Sequence, residues 1–200
     1  MRVVIRGAGD LASGVALRLW RAGMDVVLLD VEKPTAIRRT VAFSEAIVHG
    51  KQTVEDVTAR LATAETAEET LAAGMIPVLV DPEAAIRTQM PFDAEVDAIL
   101  AKYNVNTRID DAPIVLALGP GFTAGVDCHG VIETKRGHYL GRLILEGSAI
   151  PNTGVMWEAT PPSGSSAPAG TASSTRWPTS AIRSLREMWW PLWTVSRSMP

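Results

Sequence analysis

The sequence is poor in cysteine and contains no long apolar run. Its single cysteine, Cys128, allows no intrachain disulfide, and this count is typical of a reducing compartment. No stretch reaches the roughly 18 consecutive apolar residues of a membrane-spanning helix, and the first residues are too short in apolar length for a signal peptide. The net charge of -3 argues against nucleic acid as the main partner, because phosphate binding needs a concentrated basic surface. We therefore expect a cytoplasmic protein with no membrane and no nucleic-acid partner.

Several sequence motifs of catalytic sites are also missing. The chain has no G-x-S-x-G, no H-E-x-x-H, no P-loop lysine and no C-x-x-C, so hydrolase, metalloprotease and thiol-redox functions lack support. Asp127, Cys128 and His129 are adjacent, but neighbouring side chains on a strand point to opposite faces and do not converge on one ion. We expect no metal site, and the catalytic residues of any reaction stay unknown.

The N-terminal third follows a β-α-β pattern. Residues 2–6 form a β-branched run typical of a buried parallel strand. Residues 10–22 carry apolar side chains at helical spacing, with Leu11, Val15 and Leu19 on the predicted buried face. Residues 25–29 predict a second strand. The pattern favours an α/β fold with a Rossmann-like parallel sheet and flanking helices. Further strands are predicted at residues 75–80, 113–118, 130–133 and 140–145, a helix at 66–73, and either element at 93–103.

A glycine motif joins the first strand to the first helix. Gly7-Ala8-Gly9-Asp10-Leu11-Ala12 matches the G-x-G-x-x-G/A pattern of dinucleotide-binding proteins. Gly7 would allow a tight turn, Gly9 would let a pyrophosphate approach the backbone, and Ala12 would let the helix pack close to the strand. The free N–H groups of the first helical turn would face the anion. The alternative is a tight turn that serves packing alone.

Acidic residues accompany this motif. Asp30 lies 21 residues after Gly9, at the end of the second predicted strand, where a ribose-binding carboxylate is expected. This position favours NAD or an adenosine nucleotide over NADP, and Glu32 is a weaker candidate for the same role. Asp10, early in the helix, either caps it or complements its dipole.

Two further groups are candidates for cofactor binding. Arg38 and Arg39 follow the second strand, and arginine binds phosphate or carboxylate in two-point fashion. Gly119 and Gly121 follow a predicted buried strand, at the sheet edge where ligands of α/β proteins gather. The alternatives are a solvated or salt-bridged loop for the arginines and a plain turn for the glycines. The charged segment 133–138 is either an anion site or a surface turn.

The sequence changes character near residue 155, which divides it into an α/β domain at 1–155 and a tail at 156–200. The tail holds five of the six tryptophans and nine of the twelve serines, and lacks strand or helix periodicity. One interpretation is a poorly ordered docking tail. The other, which we favour, is out-of-frame translation. Methionine and tryptophan have one codon each, and a shifted frame turns the tail's Met-Trp-Trp-Pro into Val-Val-Ala. The nucleotide sequence decides between them.

Four segments of the α/β domain resemble the YqeB family. They are Val4 to Gly14, Pro34 to Ala46, Leu118 to Gly125 and Val131 to Arg142. The resemblance implies an accessory protein for the maturation of a selenium-dependent molybdenum hydroxylase. It implies a nucleotide ligand, either NAD or a molybdopterin dinucleotide, and as partners the hydroxylase apoenzyme or other maturation proteins. Family members continue with a β-rich segment that resembles the shifted frame of the tail.

Two other functions compete with this expectation. The fold also suits an NAD-dependent oxidoreductase, for which only His129 or His138 would supply a proton. A frame-disrupted tail would instead make the chain an inactive truncated product. The residues leave open whether the protein is an enzyme.

Overall fold

The computed structural model describes residues 1–151, which form a mixed α/β fold around a large, mostly parallel sheet. The predicted tail at 156–200 lies outside the described residues, as do the last four residues of the predicted domain. The strands are β1 (Arg2–Arg6), β2 (Asp25–Asp30), β3 (Lys51–Val54), β4 (Val57–Leu61), β5 (Ile76–Val80), β6 (Ala94–Asp97), β7 (Ile114–Leu118), β8 (Thr123–Ala124), β9 (Gly130–Ile132), β10 (Leu143–Ile144) and β11 (Gly147–Ser148). The α-helices in this part are α1 (Asp10–Arg21), α2 (Glu45–His49) and α3 (Ala64–Ala72), with 3-10 turns at Arg39–Val41 and Ala85–Thr88.

The strand order places β1 near the centre of the sheet. Nine strands run in the order β10-β9-β7-β6-β1-β2-β5-β4-β3, and all neighbours are parallel except β3–β4 and β9–β10. From β2 the chain crosses to β3 at the edge, comes back through β4 to β5 beside β2, and then adds β6, β7 and β9 on the other side of β1. The order therefore reverses between β1 and β6. In open α/β sheets a crevice forms at such a reversal, outside the carboxyl ends of the strands.

Side chains alternate along each strand, so apolar residues lie on both faces of the sheet, and both faces are covered. Val3 and Ile5 point to the face that packs against α1 and Phe43, and Val4 points to the face that packs near α3. Along β7, β8 and β9 a third cluster encloses Phe122 and Cys128. The site described below therefore rests on a closed apolar core.

The predicted β-α-β unit is confirmed, and on the expected face of its helix Leu19 is buried and Val15 packs against the core, but Leu11 does not. Leu11 is 47% exposed, whereas Ala12, Ala16 and Leu17 are buried. Small residues face the sheet because α1 begins immediately beyond the end of β1, where bulky side chains would hold the helix away from the strand.

The other predicted elements mostly keep their positions. The helix predicted at 66–73 begins earlier, at Ala64, and the ambiguous segment 93–103 forms the short strand β6 followed by a loop. The strand predicted at 140–145 shrinks to Leu143–Ile144, because a hydrogen-bonded turn occupies the residues just before it. Within residues 1–151, no helix combines the length and apolar character that crossing a bilayer requires.

Candidate nucleotide site at the β1–α1 turn

Gly7 is the first residue of the turn between β1 and α1. Its φ is +94°, a conformation that favours glycine, and its N–H donates a 2.7 Å hydrogen bond to the Leu29 carbonyl. A Cβ at this position would lie 2.8 Å from the carbonyl oxygen of Ala98, which follows β6. Gly7 is therefore required by the close approach of two strand ends.

Gly9 is glycine for another reason. Its φ of -66° and ψ of -177° suit any residue, and a built Cβ would meet no heavy atom beyond its chain neighbours within 4 Å. No side chain caps the first turn of α1. Among the described residues, none accepts a hydrogen bond from the N–H groups of Gly9, Asp10 or Leu11. Bare amides therefore meet open space at the positive end of the α1 dipole, which is an arrangement that attracts anions.

The turn itself is held in place from inside the protein. The Ala8 carbonyl accepts hydrogen bonds from the Ser44 N–H at 2.9 Å and the Ser13 hydroxyl at 3.2 Å. Ser13 also accepts the Phe43 N–H at 2.8 Å, and Ala12 is buried in the core. These contacts preorganise the amides, so a ligand would not have to order the turn.

Asp30 lies directly beside the turn, as its position in the sequence predicts. Its carboxylate accepts the Ala8 N–H at 2.9 Å and the Val31 N–H at 2.8 Å. Burial raises the pKa of the Asp30 carboxyl, while the hydrogen bonds from Val31 and Ala8 act in the opposite direction. The Ala8 amide is thus already paired within the protein. A carboxylate has about four lone-pair positions, so Asp30 can still accept a hydroxyl proton from a ligand.

The two predicted arginines have different surroundings. The Arg38 Nε lies 2.6 Å from an Asp10 carboxylate oxygen at the start of α1, and the Arg38 side chain is 68% exposed. Arg39 instead forms a two-point pair with Glu45, at 2.7 and 2.8 Å. Arg39 holds the pKa of the Glu45 carboxyl below its usual range. Both guanidinium groups are therefore paired with a carboxylate, Arg38 beside the glycine turn and Arg39 at α2.

Gly119 and Gly121 have packing partners within the chain. Both have positive φ, +82° and +107°. A Cβ on Gly119 would lie 2.7 Å from the Thr134 hydroxyl oxygen, and one on Gly121 would lie 2.5 Å from the Tyr103 Cα. Their glycine identity is explained by these approaches and requires no ligand.

The polar segment 127–129 contains a cysteine and a histidine, and it is not part of the glycine turn. Burial raises the pKa of the Cys128 thiol to about 12, so the unreactive thiol form prevails at neutral pH. The His129 Nδ1 accepts the Val115 N–H at 2.9 Å. Val115 pairs with Glu95, which pairs with Val4, so this contact lies three residues before the level of Gly7 along the strands. Within residues 1–151 no cluster of three or more His, Cys, Asp or Glu side chains is arranged to hold a metal ion.

Sequence reasoning missed the residues that hold the turn from outside the motif. Ser13 and Ser44 bond the Ala8 carbonyl, and Ala98 determines that residue 7 is glycine. Ser13 stands in an ordinary helical position, and the other two are distant in sequence. No local pattern marks contacts of this kind.

Comparison with known proteins gives one informative similarity. No family model matches the chain, and no solved structure matches it. Over 154 residues, the chain is 60% identical to the "Uncharacterized protein YqeB" of Escherichia coli (strain K12). The match covers 76% of this chain and 28% of that relative, so the chain spans little more than a quarter of the relative's length.

Proposed function

We propose that this α/β domain, whose sequence identity supports the YqeB family, binds a nucleoside diphosphate or a dinucleotide at its β1–α1 turn. The fold in this proposal is Rossmann-like, with the diphosphate against the first turn of α1 and a ribose near Asp30. Arg38 would approach the same anion from the solvent side. Asp10 would then act through its ion pair with Arg38.

One observation carries the proposal. The amides of Gly9, Asp10 and Leu11 have no acceptor among the described residues, and the space in front of Gly9 is open. They follow β1, and the strand order of the sheet reverses between β1 and its neighbour β6. A diphosphate in this place would satisfy amides that otherwise rely on solvent, and it would meet the positive end of the helix dipole.

Asp30 supports a nucleotide over a simple phosphate. Its carboxylate is oriented by two backbone N–H groups and lies against Ala8 of the same turn. A ribose hydroxyl could donate to its remaining lone pairs, as in dinucleotide-binding sheets with an acid at this strand end.

Mutation of Gly9 tests the binding proposal. Gly9→Val fills the open space in front of the amides, and its extended backbone accommodates valine without strain. We expect this variant to bind ADP, CDP, GDP or NAD at least about tenfold more weakly than the native protein, a loss of about 1.4 kcal/mol. Isothermal titration calorimetry measures the affinities.

Gly14→Val is the matched control, because Gly14 also faces open space but lies inside α1, away from the turn. It should bind like the native protein. The binding proposal fails if the native protein gives no heat with any of the four nucleotides, or if Gly9→Val binds the best of them unchanged.

We further propose that this binding serves the maturation of a selenium-dependent molybdenum hydroxylase, with a molybdopterin dinucleotide as a candidate ligand. The four YqeB-like segments support this role, as does the 60% identity to YqeB over 154 residues. Size-exclusion chromatography with a purified hydroxylase apoenzyme tests it. Co-elution is expected, and separate elution at micromolar concentrations contradicts the partnership. His129 lies below the level of the turn, so its position does not support His129 as the proton donor of the oxidoreductase alternative.

A further inference from the structure

The segment 98–103 runs across the carboxyl ends of three strands. At its start, the Ala98 carbonyl lies against Gly7, after β1. At its end, the backbone of Lys102 and Tyr103 lies against Gly121, after β7. The segment leaves β6, between these two strands. It therefore forms a wall beside the glycine turn, at the carboxyl edge of the sheet.

A buried polar network fixes this wall. The Thr107 hydroxyl accepts a 2.7 Å hydrogen bond from Arg6 and donates a 2.6 Å hydrogen bond to Asp97. The other Asp97 oxygen accepts the Ile99 N–H at 3.0 Å. Arg6, Asp97 and Thr107 are all at least 98% buried. Satisfied buried networks of this kind give a segment one defined conformation.

The wall presents a cation and an aromatic ring to solvent. Lys102 has a left-handed backbone with φ of +66°, as does Leu100 with φ of +61°. Such conformations cost about 1–3 kcal/mol each in non-glycine residues, and they concentrate at functional sites. Lys102 and Tyr103 are both exposed, and Lys102 forms no ion pair with any residue that the structure describes.

The spacing of the strands sets the size of the ligand. Asp30 ends β2, and Gly121 follows β7, three strand positions away. Strands lie about 4.8 Å apart, so these two points are about 14 Å apart. A ribose at Asp30 and a diphosphate at Gly9 would fill the side nearer β2. Lys102 and Tyr103, whose backbone lies against Gly121 after β7, are two strand positions from β1, so they lie about 10 Å from the glycine turn.

We propose that Lys102 and Tyr103 form a second subsite that receives the distal half of a dinucleotide. The Tyr103 ring offers a face for a planar heterocycle, and Lys102 offers a positive charge for its anionic substituents. This inference rests on the proposed nucleotide site and makes its ligand a dinucleotide.

Comparison of matched ligands tests the second subsite. ADP, CDP and GDP first identify the nucleoside diphosphate that binds best, and the dinucleoside diphosphate of the same base is then titrated. The native protein should bind the dinucleotide more tightly. Lys102→Gln and Tyr103→Ala should each weaken the dinucleotide by about tenfold, and each should leave the affinity for the nucleoside diphosphate within about twofold.

Lys51→Gln is the control, because Lys51 is also exposed but lies on β3 at the far edge of the sheet. It should change neither affinity. If the nucleoside diphosphate binds but both wall variants keep the native preference for the dinucleotide, the second subsite is refuted and the nucleotide site stands. If no nucleoside diphosphate and no dinucleotide binds the native protein, both proposals fail together.

Discussion

Gly7 and Gly9 stand two residues apart in one motif, but different physical constraints act on them. Gly7 has a positive φ, and the Ala98 carbonyl occupies the space that a side chain would need. Gly9 has ordinary extended backbone and open space in front of it. The first glycine is explained by packing, whereas the second is explained only if something outside the chain approaches it.

This difference predicts losses of different size from the same substitution. Gly7→Ala should lower the free energy of unfolding by about 1–3 kcal/mol, because the added methyl group overpacks against a carbonyl and the backbone is strained. Gly9→Ala should cost less than about 1 kcal/mol, the difference between glycine and alanine at a helix N-cap. Urea denaturation measures both. Equal losses would mean that a side chain at residue 9 also meets other atoms, which would contradict the open space in front of Gly9.

For the other candidate residues, the sequence indicates which residue types could bind a ligand, but not which residues they pair with in the fold. Arg38 and Arg39 are adjacent, yet one pairs with Asp10 at the turn and the other with Glu45 of α2. Gly119 and Gly121 lie at the expected sheet edge, but Thr134 and Tyr103 account for them. A sequence shows which residues can bind an anion, and the partners that occupy them come from distant segments.

At the scale of elements, local pattern predicts β1, α1 and β2 because their signals lie within neighbouring residues. A β-branched run, a glycine turn and helical spacing follow each other directly. The hairpin of β3 and β4 carries no such signal. Its turn places Glu55 at φ of +56° where glycine or asparagine is usual, and the strands pair as an edge of the sheet.

Ser13 connects three segments of the chain. Its hydroxyl joins α1 to the Ala8 carbonyl and to the Phe43 N–H. Ser13→Ala would leave a buried N–H unpaired, so we expect a loss of about 1–3 kcal/mol in the free energy of unfolding. Thr53→Ala, which removes an exposed hydroxyl on β3, is the control and should cost clearly less. Similar losses in thermal or urea melts would contradict the role of Ser13.

Across the whole molecule, the buried Arg6 network joins the two halves of the sheet. Arg6 of β1 donates to Thr107 and to the Pro82 carbonyl, and Thr107 donates to Asp97 of β6. Arg6 also pairs with Asn106. These partners are separated by up to 101 residues, so the network forms only when β6 has joined β1.

Thr107→Val tests this connection without changing side-chain shape. It would leave one donor of Arg6 and one acceptor of Asp97 without their partner in a buried place. We expect a loss of roughly 2–4 kcal/mol in the free energy of unfolding. Thr53→Val, at an exposed strand position, should change stability by less than about 0.5 kcal/mol. A Thr107→Val protein with native stability in denaturant titration would remove the network as a support of the fold.

Residues that are neighbours in the chain specify the β1–α1–β2 unit, its glycine turn and the acid at the end of β2. The folded arrangement is needed to see which glycines face open space, which arginine lies beside the turn and which segment crosses the strand ends next to it. The first and the last of these features depend on the return of the chain from β5 to β6, which brings residues about a hundred positions apart into contact. The physical reason is that hydrophobic periodicity specifies which face is buried, but not which distant backbone will cover it.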